Sequence, residues 1–171
     1  MTRLVLTALL TLGTYLHAGD YDTFIGLEAG STDLTFNQID SQRGGELGLR
    51  FGFVRDTGRV FLSVNTAGLD HTDLNSVALN FDAITPRAYR FNDSFAVRGF
   101  IGVHGGIVQI KSDTFNDDEG GMGGAKAGVF LDFPANISLE IGYKVTFAAI
   151  DLGTQAVKNY QTLYAAYNYT F

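Results

Sequence analysis

Apolar and polar residues alternate with a period of two along most of this chain, the signature of half-buried β-strands. In "ELGLRFGFV", Leu47, Leu49, Phe51 and Phe53 form one face, while Glu46, Gly48, Arg50 and Gly52 form the other. In "GAKAGVFLDF", Ala125, Ala127, Val129, Leu131 and Phe133 oppose Gly124, Lys126, Gly128, Phe130 and Asp132. In "ISLEIGYKVTF", Ile137, Leu139, Ile141, Tyr143, Val145 and Phe147 oppose Ser138, Glu140, Gly142, Lys144 and Thr146. The same parity predicts strands near 23–30, 59–67, 76–90 and 95–110, and a last one over about 160–171. The total is eight. Short connectors are expected at 55–58, 92–94 and 134–136, and long ones at 31–43, 68–75, 111–122 and 151–159. Long on one side and short on the other is the rhythm of an outer-membrane barrel.

Two architectures use such strands, a soluble barrel with its apolar face inward and a membrane barrel with it outward. The polar face here is rich in Gly and sparse in charge: Glu28, Glu46, Arg50, Arg98, Lys126, Glu140 and Lys144. Three acids against four bases suit a narrow interior in which charges must pair. The apolar face carries aromatics at strand ends (Phe53, Phe133, Phe147, Tyr169, Phe171), as an interfacial girdle would. Lipid cannot satisfy an open sheet edge, and eight strands can close. The expected fold is therefore all-β, an eight-stranded antiparallel up-and-down transmembrane β-barrel.

The first eighteen residues break the pattern. "MTRLVLTALLTLGTYLHA" has one positive charge, an apolar run and a small Ala18 before "GDYD". It reads as a secretory signal peptide over 1–18, with the barrel over 19–171. The apolar run is too short for a transmembrane helix of about 20 residues. There is no Cys, which excludes disulfides and thiolate metal sites. Without residues 1–18 the chain has 11 Lys+Arg against 18 Asp+Glu, a net charge of −7. That lacks the basic footprint of a nucleic-acid binder.

The chain closes on "LYAAYNYTF", in which Leu163, Ala165, Tyr167, Tyr169 and Phe171 share one face. This end resembles the C-terminal signature of bacterial outer-membrane β-barrel proteins, and the plan of the chain resembles the small OmpA/OmpX-like eight-stranded barrels. The resemblance implies that Tyr167, Tyr169 and Phe171 are read by the barrel-assembly machinery. It also implies a place in the outer membrane of a Gram-negative bacterium, among its lipids, and a monomer is expected.

Eight strands enclose just enough room for side chains, so a wide diffusion pore is not expected. The seven charges could form an interior ion-pair network or line a narrow, porin-like path for small solutes, and the network is the expectation. A lipid-modifying enzyme is the remaining class. His71, in "GLDHTDLN", and His104, in "IGVHGGIV", have no Ser at a familiar spacing. Asp113, Asp117, Asp118 and Glu119 could gather around calcium, but they fit no EF-hand spacing. "GGMGG" (120–124) reads as a hinge into the sixth strand, since no Lys follows at P-loop spacing. The expectation is a non-enzymatic barrel with a structural or surface-interaction role and no cofactor.

Overall fold

The computed structural model describes residues 21–36, 41–70, 72–85, 89–92, 95–112, 118–149 and 157–171. The expected signal peptide, His71, Asp113 and Asp117 lie outside them. The strands are β1 (Asp22–Phe36), β2 (Gln42–Arg55), β3 (Gly58–Leu69), β4 (Thr72–Ile84), β5 (Tyr89–Asn92), β6 (Phe95–Ser112), β7 (Asp118–Phe133), β8 (Ile137–Ala148) and β9 (Val157–Thr170). Every pairing is antiparallel. β1 joins β9 and β4 joins β6, so eight long strands form one closed barrel. The short β5 pairs only with the lower end of β6. The expected single strand over 76–90 is thus interrupted below Thr85. Pro86 follows in the sequence, and proline has no N–H for a ladder.

The ladder fixes the tilt. Its partners run from Thr23 to Phe53, Val60, Phe81, Val103, Ala125, Val145 and Gln161, and return to β1 at Asp33. That ten-residue stagger over eight strands tilts them by roughly 40° from the axis.

The sheet is inside out relative to a soluble barrel. Leu27, Leu47, Leu49, Ile101, Phe147 and Leu163 are each more than half exposed, whereas Glu28, Glu46, Arg50 and Glu140 are buried. Above this belt the phase of the pattern reverses. Leu34, Ala67, Leu69, Leu74, Val108, Ile110, Met122 and Tyr160 form an apolar cluster inside one end of the barrel. Their strand neighbours Asp73, Gln109, Lys111 and Glu119 face out and are exposed. At the other end Ile84, Phe100, Phe130 and Tyr164 form a second interior cluster.

This reversal corrects several expected boundaries. Within the connectors expected over 31–43 and 111–122, residues 31–36, 42–43, 111–112 and 118–122 are strand, because alternation continues there with its polarity exchanged. Only two residues separate β3 from β4, so 68–75 is a tight connection and not a long loop. Asp118, Glu119 and the expected hinge 120–124 lie within β7, where Gly123 pairs with Gly105 and Gly121 with Ile107. Ala135 and Asn136, in the turn after β7, adopt left-handed backbone with φ of 65° and 62°.

Inward glycines give the interior its room. A Cβ on Gly142 would come within 2.4 Å of the Tyr164 hydroxyl and 2.5 Å of its ring. That hydroxyl is held by Glu140 at 2.8 Å, so the ring cannot simply turn aside. Gly142→Ala should lower stability by about 1–3 kcal/mol, the usual cost of overpacking. Gly121, which has open space around its Cβ position, should accept alanine with little change. Urea midpoints of the two variants in the same detergent check the contrast.

Candidate functional site in the barrel interior

The middle of the barrel holds a layer of charge between the two apolar clusters. Its centre is Glu140, which β8 points inward and which is fully buried. Glu140 Oε2 lies 2.8 Å from Arg50 Nη1 and 2.8 Å from Arg59 Nη1. Its Oε1 accepts from Arg59 Nη2 at 2.9 Å and from the Tyr164 hydroxyl at 2.8 Å. Arg50 also pairs with Glu28. Arg59 Nε donates to Asp82 Oδ2 at 2.6 Å. Lys126 Nζ sits 3.1 Å from Asp82 Oδ1 and donates to Asn80 Oδ1 at 2.8 Å. Lys144 Nζ bridges Glu28 Oε1 at 2.8 Å and Glu46 Oε1 at 2.5 Å. Thr32 completes Glu46, donating to Oε2 at 2.6 Å.

This layer holds four cations (Arg50, Arg59, Lys126, Lys144) and four anions (Glu28, Glu46, Asp82, Glu140), all buried. It is electrically neutral, as a low-dielectric interior requires. Lys126 and Lys144 are direct cross-strand partners. Like charges in that position repel, and the two turn apart, one to Asp82 and the other to Glu28 and Glu46. Aromatic faces fill the remaining sides. The Arg59 guanidinium lies 4.5 Å from the Phe61 ring centre and 4.6 Å from that of Phe130, and Arg50 lies 4.8 Å from that of Tyr164. Such stacking attracts a cation while keeping water out.

The structure brings six of the seven charges singled out in the sequence into this layer. Arg98 is the exception. It lies near the end of the barrel that carries the chain termini, part-exposed, and its Nε pairs with Asp132 Oδ2 at 2.5 Å. It meets none of Glu28, Glu46 or Glu140, because β6 carries it more than one turn of the pleat below them. Sequence reasoning missed Arg59 and Asp82. Their signal was parity: Arg59 shares a face with Phe61 and Ser63, and Asp82 with Ala78 and Asn80.

His104 is interior and buried, and its Nε2 lies 2.9 Å from Thr146 Oγ1. No serine bonds to it among the described residues. Groups of three or more His, Cys, Asp or Glu that could hold a metal ion are absent among the described residues. At the chain end, Tyr167, Tyr169 and Phe171 all face outward and are exposed. Phe171 exchanges two backbone hydrogen bonds with Thr23, at 2.9 and 3.3 Å. The last residue therefore takes part in closing the barrel.

No protein-family model and no curated protein sequence matches the chain. Solved structures do. The chain is similar to Neisserial surface protein A (NspA), with a TM-score of 0.68 and 15% identity over 87% of this chain and 97% of that one. It is similar to outer membrane protein H (OprH) from P. aeruginosa, with a TM-score of 0.57 and 21% identity over 88% and 99% of the two chains. Against the outer membrane enzyme PagL the TM-score is 0.49, at 15% identity over 83% and 98%, too low to bear on activity. The fold is that of the eight-stranded outer-membrane barrels.

Removing one member of a buried ion network leaves its partners uncompensated, at about 3–5 kcal/mol. Glu140→Gln, which faces two arginines, should show that loss as a lower urea midpoint. Arg98→Met, part-exposed and paired with one carboxylate, should cost under about 1 kcal/mol. Equal effects of the two substitutions would count against a dry, interdependent layer.

Proposed function

We propose that this chain is an integral, monomeric protein of the outer membrane of a Gram-negative bacterium. Its closed barrel acts as a rigid, non-enzymatic scaffold that presents the strand ends and connectors on the side away from the termini. The observation that carries this reading is the filled interior. A neutral layer of paired charge is sealed above and below by apolar side chains, inside a wall whose outer face is apolar. An ion crossing it would have to part Glu140 from its arginines and then enter an apolar cluster. This argues against the narrow-channel alternative. The burial of His104 and its hydrogen bond to Thr146 argue against a lipid-modifying centre there. Interaction with other molecules then falls to the polar ends, where such scaffolds carry function.

Purified protein in planar bilayers should give no discrete conductance steps at moderate voltage. Steady steps that change in size with Lys126→Gln would favour the channel instead. In whole cells, a Cys placed at Glu119 should react with an impermeant reagent, and one at Asp56, in the turn after β2, should not. The reverse result would invert the proposed orientation.

The outward row Tyr167, Tyr169 and Phe171 is proposed as the assembly signal. Loss of Phe171 removes one outward-facing side chain and its end-of-ladder bonds, at most a few kcal/mol. Deleting Phe171 should therefore leave refolding into detergent nearly normal while reducing the amount inserted in cells. Equal insertion of the two forms would leave Phe171 an ordinary girdle residue.

A further inference from the structure

The apolar belt is not equally tall around the barrel. On β8 it runs outward from Ile137 to Phe147, and on β6 from Val97 to Ile107. Ten residues at about 3.3 Å each, tilted by roughly 40°, climb about 25 Å along the axis. That is the usual height of a membrane barrel's apolar band. On β1 the outward aliphatic residues are Ile25, Leu27 and Ala29, bounded by Thr23 and Ser31, with the aromatic Tyr21 two residues below Thr23 just ahead of the strand. On β3 they are only Val60, Leu62 and Val64, bounded above by Thr66. Four residues climb about 10 Å, and on β2 between them the six from Leu47 to Phe53 climb about 15 Å, still well short of about 25 Å.

Both rims of the short wall are drawn in. The ladder climbs about 3 Å at each step from β1 through to β9, and each residue along a strand climbs about 2.5 Å. Thr66 pairs with Asn75, and Asn75 with Gln109. Ile107 lies two residues below Gln109, so it is level with Thr66 to within about 1 Å. At the lower rim, Ile137 pairs with Tyr169, and Phe171, two residues below Tyr169, pairs with Thr23. Thr23 is therefore level with Ile137, again to about 1 Å. At the upper rim Thr66 of the β1–β3 wall stands level with Ile107 of the β6–β8 wall, and at the lower rim Thr23 stands level with Ile137.

We infer that the β1–β3 wall faces a locally thinned patch of bilayer, with lipid headgroups drawn toward Thr66 and Ser31 at one rim and Thr23 at the other. A bilayer thins beside a hydrophobic surface shorter than itself. Tilting the whole barrel is no substitute, because it would shift both rims of the short wall the same way along the membrane normal, bringing one nearer its headgroups and carrying the other deeper. The partner is the lipid bilayer itself, perturbed on one side of the protein. This inference rests on the membrane-spanning reading above.

Single-Cys variants at Thr66, Ile107, Thr23 and Ile137, spin-labelled and reconstituted in phosphatidylcholine bilayers of ordinary thickness, test it. Labels at Leu49 and Ile141, in mid-belt on the two walls, serve as controls. Accessibility to oxygen and to a neutral nickel chelate reports depth. The inference expects both threonine positions to be several-fold more open to the chelate than their level isoleucine partners. Equal depth within each pair overturns it. A shallow Thr66 with a deep Thr23 also overturns it, in favour of tilt. If the Leu49 and Ile141 labels both show water, the membrane-spanning reading itself fails.

Discussion

Glu140 lies where two guanidinium groups meet inside a wall that faces lipid, and the interior is arranged around keeping that meeting neutral. A carboxylate with no access to water must be offset within a few ångströms or it will not ionise. Arg50 and Arg59 supply two charges to its one, so each needs a second anion. Glu28 and Asp82 provide them. Those acids in turn attract Lys144 and Lys126, and Lys144 brings in Glu46. Each added charge requires another until the layer balances at four of each sign. The residues come from β1, β2, β3, β4, β7 and β8, so the network ties together strands that are far apart in sequence.

Space in the layer is set by the same requirement. Long Arg and Lys side chains and the aromatic rings stacked on them fill an eight-stranded lumen only if some inward positions carry no side chain at all. Gly142 yields to Tyr164, and Gly102 yields to Asp82, whose carboxylate lies 2.0 Å from where a Cβ would be. These glycines are strand residues by tertiary necessity, against the weak preference of glycine for strands. They are half of each contact, since the ring or carboxylate across from them occupies their missing volume.

The belt was legible because lipid imposes one rule on every strand it touches: apolar out, over most of the length. Leu47 to Phe53 and Ile137 to Phe147 follow it without exception, and strand number and closure come from counting such runs. Six members of the charged layer were legible for the complementary reason, as isolated charges on an otherwise Gly-rich face. Arg59 was not, because it opens its run directly after the expected connector at 55–58; Asp82 lay within the expected strand over 76–90, on the face of Ala78 and Asn80, where its parity alone did not show that it meets Arg59 and Lys126. Arg98 misled in the opposite sense. Its parity is inward, but parity carries no height, and only the register between β6 and β7 shows that it meets Asp132 below the layer. The three-dimensional stagger of a barrel is a property of pairs of strands, which one strand's sequence does not contain.

The strand extensions above the belt follow from a change of solvent. Within lipid the outside must be apolar and the inside can be charged. Once a strand emerges into water the same sheet must put polar groups outside, and its interior is then free to be an ordinary apolar core. Leu34, Leu74 and Ile110 point inward while Asp73 and Lys111 point outward, although the backbone continues unbroken from the belt. A pattern search that holds one phase ends the strand at this reversal and places a loop there. The physical strand continues, because its hydrogen bonds depend on its neighbours and not on which face is apolar. One consequence is mechanical. The end of the barrel away from the termini is a packed β-structure with its own core, seated directly on the ionic layer, so the strand ends there are held at fixed positions relative to that layer.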